Sequence, residues 1–181
     1  DGIRDSVASR GLGDVYKRQL LNTISDYDLK NLATNTELSD FGGYAIRSGD
    51  DGEDIKMMFT SSGIQNTGKI SRGKYIRPER PTFNLFNSEF TEDSVYSYDA
   101  KLISGPDMNT AFQDGPAVVS ENGKMVYFTR SGTKSGRDDA LHLNIYSASY
   151  NNGTLSRVRN LPFNNNEYSI MHPSLSKDGT R

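Results

Sequence analysis

Short apolar runs separated by polar, glycine-bearing turns dominate this 181-residue chain. The run Met125–Thr129 is rich in β-branched and aromatic residues, which suit a pleated, half-buried surface. The run His142–Ala148 alternates imperfectly between apolar and polar positions, and Leu155–Leu161 is a further strand candidate. With few helix-favouring runs, the pattern predicts β-strands joined by turns.

The segment Gly115–Tyr146 has the pattern of one unit of a repeat, and a second copy begins downstream. In the first copy Pro116 precedes the turn Ser120-Glu121-Asn122-Gly123. In the second copy Pro173 precedes the turn Ser176-Lys177-Asp178-Gly179, and the last glycines of the two turns lie 56 positions apart. Asn-Gly and Asp-Gly accept positive φ at both central positions of a two-residue hairpin. A period of about 50 residues built from short strands is typical of a β-propeller blade.

A weaker copy precedes these two. Met57–Thr60 is similar in character to Val126–Thr129, and Asn84-Leu85-Phe86 is similar to Asn144-Ile145-Tyr146. The offsets are 69 and 60 residues, so the loops must differ in length. The strands predicted for this copy are Gly43–Arg47, Ile55–Ser61, Thr82–Asn87 and Ser97–Ile103.

These copies predict an all-β fold, a partial β-propeller of about two four-stranded antiparallel blades plus the first strand of a third. The blades are expected at about 35–104 and 115–161, with a truncated third at 169–181. Because propellers have roughly four to eight blades, the chain is expected to be a fragment.

The first residues point to a fragment from another direction. Back-translated, Asp14-Val15-Tyr16-Lys17-Arg18-Gln19 fits the transposon mosaic end used in sequencing adaptors. The alternative is a natural basic N-terminal arm. We expect residues 1–19 to be a disordered, adaptor-derived artefact of a metagenomic assembly, and residues 20–34 to be a connector.

Composition narrows the function classes. The net charge of −2 does not favour nucleic acid as a partner, which needs a clustered basic surface. No apolar run approaches the roughly 20 residues of a membrane-spanning helix. The chain has no cysteine, which rules out disulfides, zinc–thiolate sites and a cysteine nucleophile within it, and is compatible with cytoplasm or periplasm.

Candidate catalytic and metal-ligating residues are few. His142 and His172 are the only histidines, and a structural hydrogen bond at a strand start explains His172 better than catalysis. The adjacent carboxylates Asp138-Asp139 and Glu92-Asp93 fit solvated loops better than the separated pair of a glycosidase. The run Asp50–Asp54 could bind calcium but lacks EF-hand spacing. We therefore predict no catalytic residue, metal or cofactor.

One long loop is the best candidate for contact with a partner. The insert between the inner strands of the first blade is basic and glycine-bearing, and binding residues often lie on loops over rigid sheets. Its candidate partner-binding residues are Lys69, Arg72, Lys74, Tyr75, Arg77 and Arg80. A solvated surface loop is the alternative.

The stretch Leu161–Thr180 resembles the TolB-like, WD-like propeller of OmpA-family, peptidoglycan-associated envelope proteins of Bacteroidota. The pattern of that family is matched at Leu161, Pro162, Phe163, Asn164, Tyr168, Ser169, His172, Pro173, Leu175, Ser176, Asp178 and Gly179. Ser39–Gly42 and Val126–Arg130 resemble other parts of the same propeller, so the resemblance covers about 29–181.

The resemblance implies a role but no chemistry. It implies a non-catalytic scaffold in the periplasm, associated with the outer membrane, that binds envelope proteins and has a possible link to type IX secretion. Peptidoglycan would be bound by a C-terminal OmpA-like domain outside this chain, so no peptidoglycan-binding residue is assigned here. The alternative is the propeller of a secreted peptidase or glycosidase, because fold alone does not fix function.

Overall fold

The computed structural model describes residues 31–48, 54–63, 82–90, 100–108, 112–132, 135–138 and 140–179. These residues contain eight strands and no helix, arranged as two four-stranded antiparallel sheets. Sheet 1 consists of β1 (Asp40–Ser48), β2 (Asp54–Ser61), β3 (Asn84–Phe90) and β4 (Lys101–Leu102). Sheet 2 consists of β5 (Asp114–Val119), β6 (Met125–Ser131), β7 (Leu143–Asn151) and β8 (Thr154–Asn160). The predicted all-β class is confirmed, and neighbouring strands follow sequence order in both sheets.

The two sheets repeat each other in register. In sheet 1, Phe59 on β2 lies opposite Phe86 on β3, with ring centroids 5.8 Å apart. In sheet 2, Phe128 on β6 lies opposite Tyr146 on β7, with ring centroids 6.0 Å apart. Cross-strand aromatic pairs of this kind stabilise a sheet beyond the area they bury. The weaker sequence copy is therefore a structural copy as well.

The start of each sheet also carries the same pair of hydrogen bonds. In sheet 1, the Ser62 N–H donates to Ser39 O at 3.0 Å, and the Ser39 N–H donates to Ser62 Oγ at 3.3 Å. In sheet 2, the Ser131 N–H donates to Gln113 O and the Gln113 N–H donates to Ser131 Oγ, both at 3.0 Å. A serine at the end of the second strand thus fastens the first strand in both sheets.

The turn after β5 differs from the predicted two-residue hairpin. Five residues, Ser120–Lys124, connect β5 to β6. The Gly123 N–H donates to Ser120 O at 2.8 Å, and Gly123 has a φ of 67°. Asn122 accepts hydrogen bonds on Oδ1 and keeps a negative φ, so only the glycine of this Asn-Gly pair needs the left-handed region. The Asn122 side chain takes the place of a backbone acceptor, as in an Asx turn.

A two-residue hairpin does occur between β7 and β8. Asn152 and Gly153 have φ values of 42° and 85°, and Asn151 pairs with Thr154. Positive φ at both central positions is the geometry that Asn-Gly favours, because it matches the twist of the flanking strands.

The predicted first strand of a third blade is not a strand in the structure. Residues 169–175 carry no ladder, although the Ile170 N–H donates to Leu143 O at 2.8 Å. A strand needs a neighbour to pair with, and the described residues offer none beside this segment. The sheets do not close into a ring within the described ranges. The turn Ser176–Gly179 is nevertheless formed, with Gly179 at the same φ of 67° as Gly123.

The core lies between the two sheets. The first strand of sheet 2, β5, packs against β1, β2 and β3 of sheet 1. The buried residues that form this core are Ile46, Met58, Leu85, Ile103, Met108, Ala117, Val119, Val126, Phe128, Ala148 and Leu155. Both sheets contribute to one apolar cluster, so removal of this surface from water stabilises them together.

Candidate functional site

A polar groove lies where the two sheets meet. It has a volume of about 230 Å³ and continues into a neighbouring depression. Its walls come from β2, β3 and β4 of sheet 1 and from the β7–β8 hairpin of sheet 2. The lining residues are Lys56, Asn87, Glu89, Lys101, Leu102, Ser104, Tyr150, Asn152, Gly153 and Thr154. We call this feature the inter-sheet groove. Lys56, Tyr150 and Asn152 also line the neighbouring depression.

Lys56 connects the two walls of the inter-sheet groove. Its Nζ donates to Asn152 Oδ1 at 3.2 Å and lies 3.5 Å from Glu89 Oε1. Glu89 is the cross-strand neighbour of Lys56, so the register of β2 on β3 sets this contact. The Lys56 side chain is 27% exposed, which leaves its ammonium within reach of a ligand.

Tyr150 forms part of the opposite wall. Its hydroxyl donates to Asn87 Oδ1 at 3.4 Å, and its ring packs against the core between the sheets. Burial raises the pKa of Tyr150 above its ordinary value. The phenol therefore remains neutral and able to donate a hydrogen bond at physiological pH.

Ser104 and Thr154 tie the last strands of the two sheets together. Their hydroxyl oxygens lie 2.9 Å apart, and their backbones form an isolated parallel bridge. The Leu155 N–H donates to Ser104 O at 2.8 Å, and the Ser104 N–H donates to Gly153 O at 3.1 Å. A side chain at position 153 would lie 3.1 Å from Asn87 Nδ2, and the φ of 85° disfavours one further.

The inter-sheet groove offers donors and acceptors that the fold already holds in place. Lys56 and Tyr150 present donor groups, Glu89 presents a carboxylate, and Ser104 and Thr154 present hydroxyls. A concave surface with a few fixed polar groups is the usual form of a reversible binding site. Its chemistry suits a polar ligand or the polar side chains of a partner protein.

The sequence-predicted partner loop lies elsewhere on the chain. Lys69, Arg72, Lys74, Tyr75, Arg77 and Arg80 fall in residues 64–81, outside the described residues. That segment joins β2, which ends at Ser61, to β3, which begins at Asn84. The groove residues Lys56 and Glu89 lie toward the opposite ends of the same two strands. The ends of β2 and β3 that this segment joins, Ser61 and Asn84, therefore lie at the far end of these strands from Lys56 and Glu89.

His142 forms a small surface pair with Asp138. The His142 Nε2 and Asp138 Oδ1 atoms lie 3.1 Å apart, and the Ala140 N–H also donates to Asp138 Oδ1 at 3.1 Å. The Ala140 hydrogen bond, reinforced by His142, holds the pKa of Asp138 below its usual value of 3.8. The Asp138 side chain is 57% exposed, and the pair lies in a surface loop.

The second histidine acts through its backbone. The His172 N–H donates to Thr129 Oγ1 at 3.0 Å, and His172 itself is exposed with a φ of 58°. Of the carboxylates considered for calcium or catalysis, Asp50–Glu53, Glu92, Asp93 and Asp139 lie outside the described residues. Among the residues that are described, no group of three or more histidine or acidic side chains could hold a metal ion.

A buried ion pair is the polar feature that the sequence did not reveal. Arg130 Nε lies 2.5 Å from Asp114 Oδ1, and Arg130 Nη2 donates to Asp114 Oδ2 at 3.0 Å. The guanidinium lies over the rings of Phe128 and Tyr146, with its Cζ 5.0 and 5.4 Å from their centroids. Its Nη2 also approaches Met108 Sδ at 3.4 Å. This pair fixes β5 on β6 at the edge where β5 meets sheet 1.

The arginine could have been suspected from its position alone. Arg130 ends an apolar, β-prone run, where a charged side chain must either face solvent or find a buried partner. The partner was hidden because Asp114 and Arg130 are opposite one another only after β5 bulges between Asp114 and Ala117.

Within the described residues, no helix is long and apolar enough to cross a membrane. Comparisons with family models, with curated proteins and with solved structures return no match, so the function has to be inferred from the residues of the chain itself.

Proposed function

We propose that this chain is a non-catalytic binding scaffold of the bacterial cell envelope, with the inter-sheet groove as a contact surface for a partner protein. The binding role is inferred from the hydrogen bonds that hold the two walls of the groove in place. Hydrogen bonds from Lys56 to Asn152 and from Tyr150 to Asn87 cross from one sheet to the other. A surface fixed in this way loses little conformational entropy when a partner binds.

A propeller arrangement fits the proposed scaffold. The two sheets share their register and their serine hydrogen bonds, and β5 of sheet 2 packs against β1, β2 and β3 of sheet 1. Repeated four-stranded sheets that pack face to face are the units of a β-propeller. Propeller surfaces and loops serve many proteins as binding platforms, and the predicted basic loop Lys69–Arg80 remains a second candidate contact surface.

The location in the envelope is supported by the resemblance of Leu161–Gly179 to propellers of OmpA-family proteins. On this proposal the product is periplasmic and outer-membrane associated. Its partners are envelope proteins, and an OmpA-like domain outside this chain binds peptidoglycan. A connection with type IX secretion belongs to the same proposal.

The partner surface is expected to be polar with acidic side chains. Lys56 and Lys101 line the inter-sheet groove, Lys124 lines the adjoining depression, and Glu89 is the one acidic residue among the lining residues described. The ammonium groups of Lys56 and Lys124 favour a partner that presents carboxylates, and such complementarity contributes mainly to specificity and association rate.

The test compares two lysine variants in a native envelope extract. Lys56→Met removes the groove ammonium while keeping an unbranched side chain, and Lys177→Met removes an exposed charge from the distant turn at 176–179. We expect envelope proteins bound by the parent chain to be lost with Lys56→Met and retained with Lys177→Met, as measured by quantitative mass spectrometry. Circular dichroism checks that both variants are folded. Equal binding by both variants, or a cytoplasmic location of the product in cell fractions, would overturn the proposal.

A further inference from the structure

The outer face of sheet 2 carries exposed apolar side chains. The segment 161–179 crosses this face, and within it Phe163, Tyr168 and Met171 are 54%, 54% and 44% exposed. Large apolar side chains exposed on one segment often mark a contact surface. The hydrogen bonds beneath them indicate what kind of partner fits.

At the junction of the two sheets, two hydrogen bonds to Phe83 hold the residues that begin sheet 2. The Phe83 N–H donates to Gln113 Oε1 at 2.6 Å, and the Asp114 N–H donates to Phe83 O at 3.0 Å. These bonds seat the first residues of β5 on the start of β3. They fix the position of the first strand of sheet 2 on sheet 1.

The same two bonds recur on the outer face of sheet 2. The Leu143 N–H donates to Ser169 Oγ at 3.1 Å, and the Ile170 N–H donates to Leu143 O at 2.8 Å. Leu143 stands at the start of β7 as Phe83 stands just before β3. Ser169 and Ile170 therefore occupy on sheet 2 the places that Gln113 and Asp114 occupy on sheet 1.

A threonine contact extends the correspondence. Gly115 lies directly against Thr60 of sheet 1, so that a β-carbon there would collide with Thr60 Oγ1. On sheet 2, the His172 N–H donates to Thr129 Oγ1 at 3.0 Å. Thr60 and Thr129 each follow the paired aromatic residue of their strand. Gly115 and His172 both have positive φ, at 114° and 58°, and both precede a proline.

The residues that follow the last strand of each sheet also correspond, but their burial differs. The Ile103 N–H donates to Leu85 O at 3.0 Å, and the Leu161 N–H donates to Ile145 O at 3.4 Å. Ile103 is completely buried because sheet 2 covers it beside Leu155. Leu161 is only partly buried. Sheet 2 covers one face of sheet 1, but no further sheet covers sheet 2 in the same way within the described residues.

From this repetition we infer that the outer face of sheet 2, with residues 161–179, is the docking surface for a further four-stranded sheet of the same repeat. Residues 169–175 would become its first strand once three strands pair beside them. This inference rests on the repeat arrangement in the proposed function. A second copy of this chain fits less well, because its β1 would have to occupy the place that 169–175 already fill.

The test adds three strands of the repeat to the same chain. Because the turn Ser176–Gly179 has the geometry of Ser120–Gly123, a second copy of residues 124–160 is fused directly after Gly179. We expect the backbone amides of 169–175 to exchange at least about tenfold more slowly in the fusion than in the parent chain. Peroxide should oxidise Met171 several-fold more slowly in the fusion, because its side chain becomes covered.

The control fusion has the same length but carries aspartate at the positions copied from Val126 and Phe128, which removes the apolar face of the added sheet. It should leave exchange and Met171 oxidation as in the parent. A second pair of variants, Phe163→Ser and Tyr168→Ser, should not lower the stability of the parent chain but should weaken the protection seen in the fusion.

Two results would overturn the inference. One is a fusion whose 169–175 amides and Met171 react as in the parent chain. The other is protection that appears in the parent as its concentration rises, since that would make a second copy the occupant. Neither measurement involves the inter-sheet groove, so loss of partner binding by Lys56→Met tests the proposed function separately.

Discussion

Arg130 and Asp114 bring two charges into the core, and the residue-scale energetics depend on both being present. Asp114 is completely buried and Arg130 is 5% exposed. We predict that Arg130→Met, which keeps most of the side-chain volume, lowers the free energy of unfolding by about 3–5 kcal/mol, because Asp114 then keeps a buried charge without its guanidinium. Urea denaturation followed by circular dichroism measures this loss.

The double variant Arg130→Met with Asp114→Asn provides the control. Removal of both charges should recover most of the lost stability, because a buried ion pair is often worth little more than a neutral replacement. If Arg130→Met alone unfolds at the urea concentration of the parent chain, the pair does not hold β5 on β6.

Asp138 provides a pH prediction at the same scale. Its folded pKa lies below 3.8, so its contribution to stability is present above that pH and is lost as the pH falls through the folded pKa. The main cause of the lowered pKa is the hydrogen bond from the Ala140 N–H, and Ala140→Pro removes this donor. We expect an NMR titration of the Asp138 carboxyl to show a midpoint below 3.8 in the parent and a higher midpoint in Ala140→Pro.

The matching control is His142→Gln, which leaves the Ala140 N–H in place. It should raise the titration midpoint of Asp138 by less than Ala140→Pro does. A midpoint that is unchanged in Ala140→Pro would show that the backbone hydrogen bond is not the main cause.

Sequence reasoning at this scale found residue types but not residue pairs. Lys56 and Asn152, whose hydrogen bond spans the inter-sheet groove, are 96 positions apart, and neither belongs to a motif. Their contact depends on the packing of two sheets, which no local pattern encodes. His142 with Asp138 was within reach of the sequence, because the two lie four positions apart in one loop.

At the scale of elements, two glycines with the same backbone geometry should respond differently to the same substitution. Gly123 and Gly179 both have a φ of 67°, and an added β-carbon would meet no atom within 4 Å at either position. Gly123→Ala should cost about 1–2 kcal/mol, because a left-handed conformation disfavours alanine. That cost should appear in global unfolding, since the turn joins β5 to β6.

Gly179→Ala is the matched control. Its turn follows a segment that has no strand partner among the described residues, so the substitution should leave the urea midpoint unchanged. Equal losses at both positions would show that the turn at 176–179 is already part of the cooperative structure.

The strands themselves were largely predictable because their information is local. The β-prone run Met125–Thr129 and the imperfect alternation of His142–Ala148 placed β6 and β7 to within a few residues. The segment 169–175 has the same local pattern but forms no strand. Pairing requires a neighbour, and that requirement is not encoded within the segment. The five-residue loop after β5 was missed for a related reason, since Asn-Gly suits several turn types.

At the scale of the whole molecule, one apolar cluster joins the two sheets. We predict that Leu85→Ala, at a position with no exposed surface, lowers the free energy of unfolding by about 2–5 kcal/mol through lost burial and a residual cavity. Hydrogen exchange should then show both sheets losing protection together, because Leu85 contacts residues that also support β5.

Leu38 provides the comparison for the same chemical change. It is 57% exposed, so Leu38→Ala should change stability by no more than about 0.5 kcal/mol. Loss of protection confined to sheet 1 in Leu85→Ala would show that the sheets unfold as independent units.

The bridge between Ser104 and Thr154 has a mechanical consequence. It joins the residues just after β4 of sheet 1 to the start of β8 of sheet 2 through two backbone hydrogen bonds and a hydroxyl contact. These groups are 50 residues apart along the chain, so a force applied across Ser104 and Thr154 would load the bridge before the strands between them, β5 to β7, could extend. The bridge would therefore shield most of sheet 2 from tension transmitted through sheet 1, with only two backbone hydrogen bonds and one hydroxyl contact.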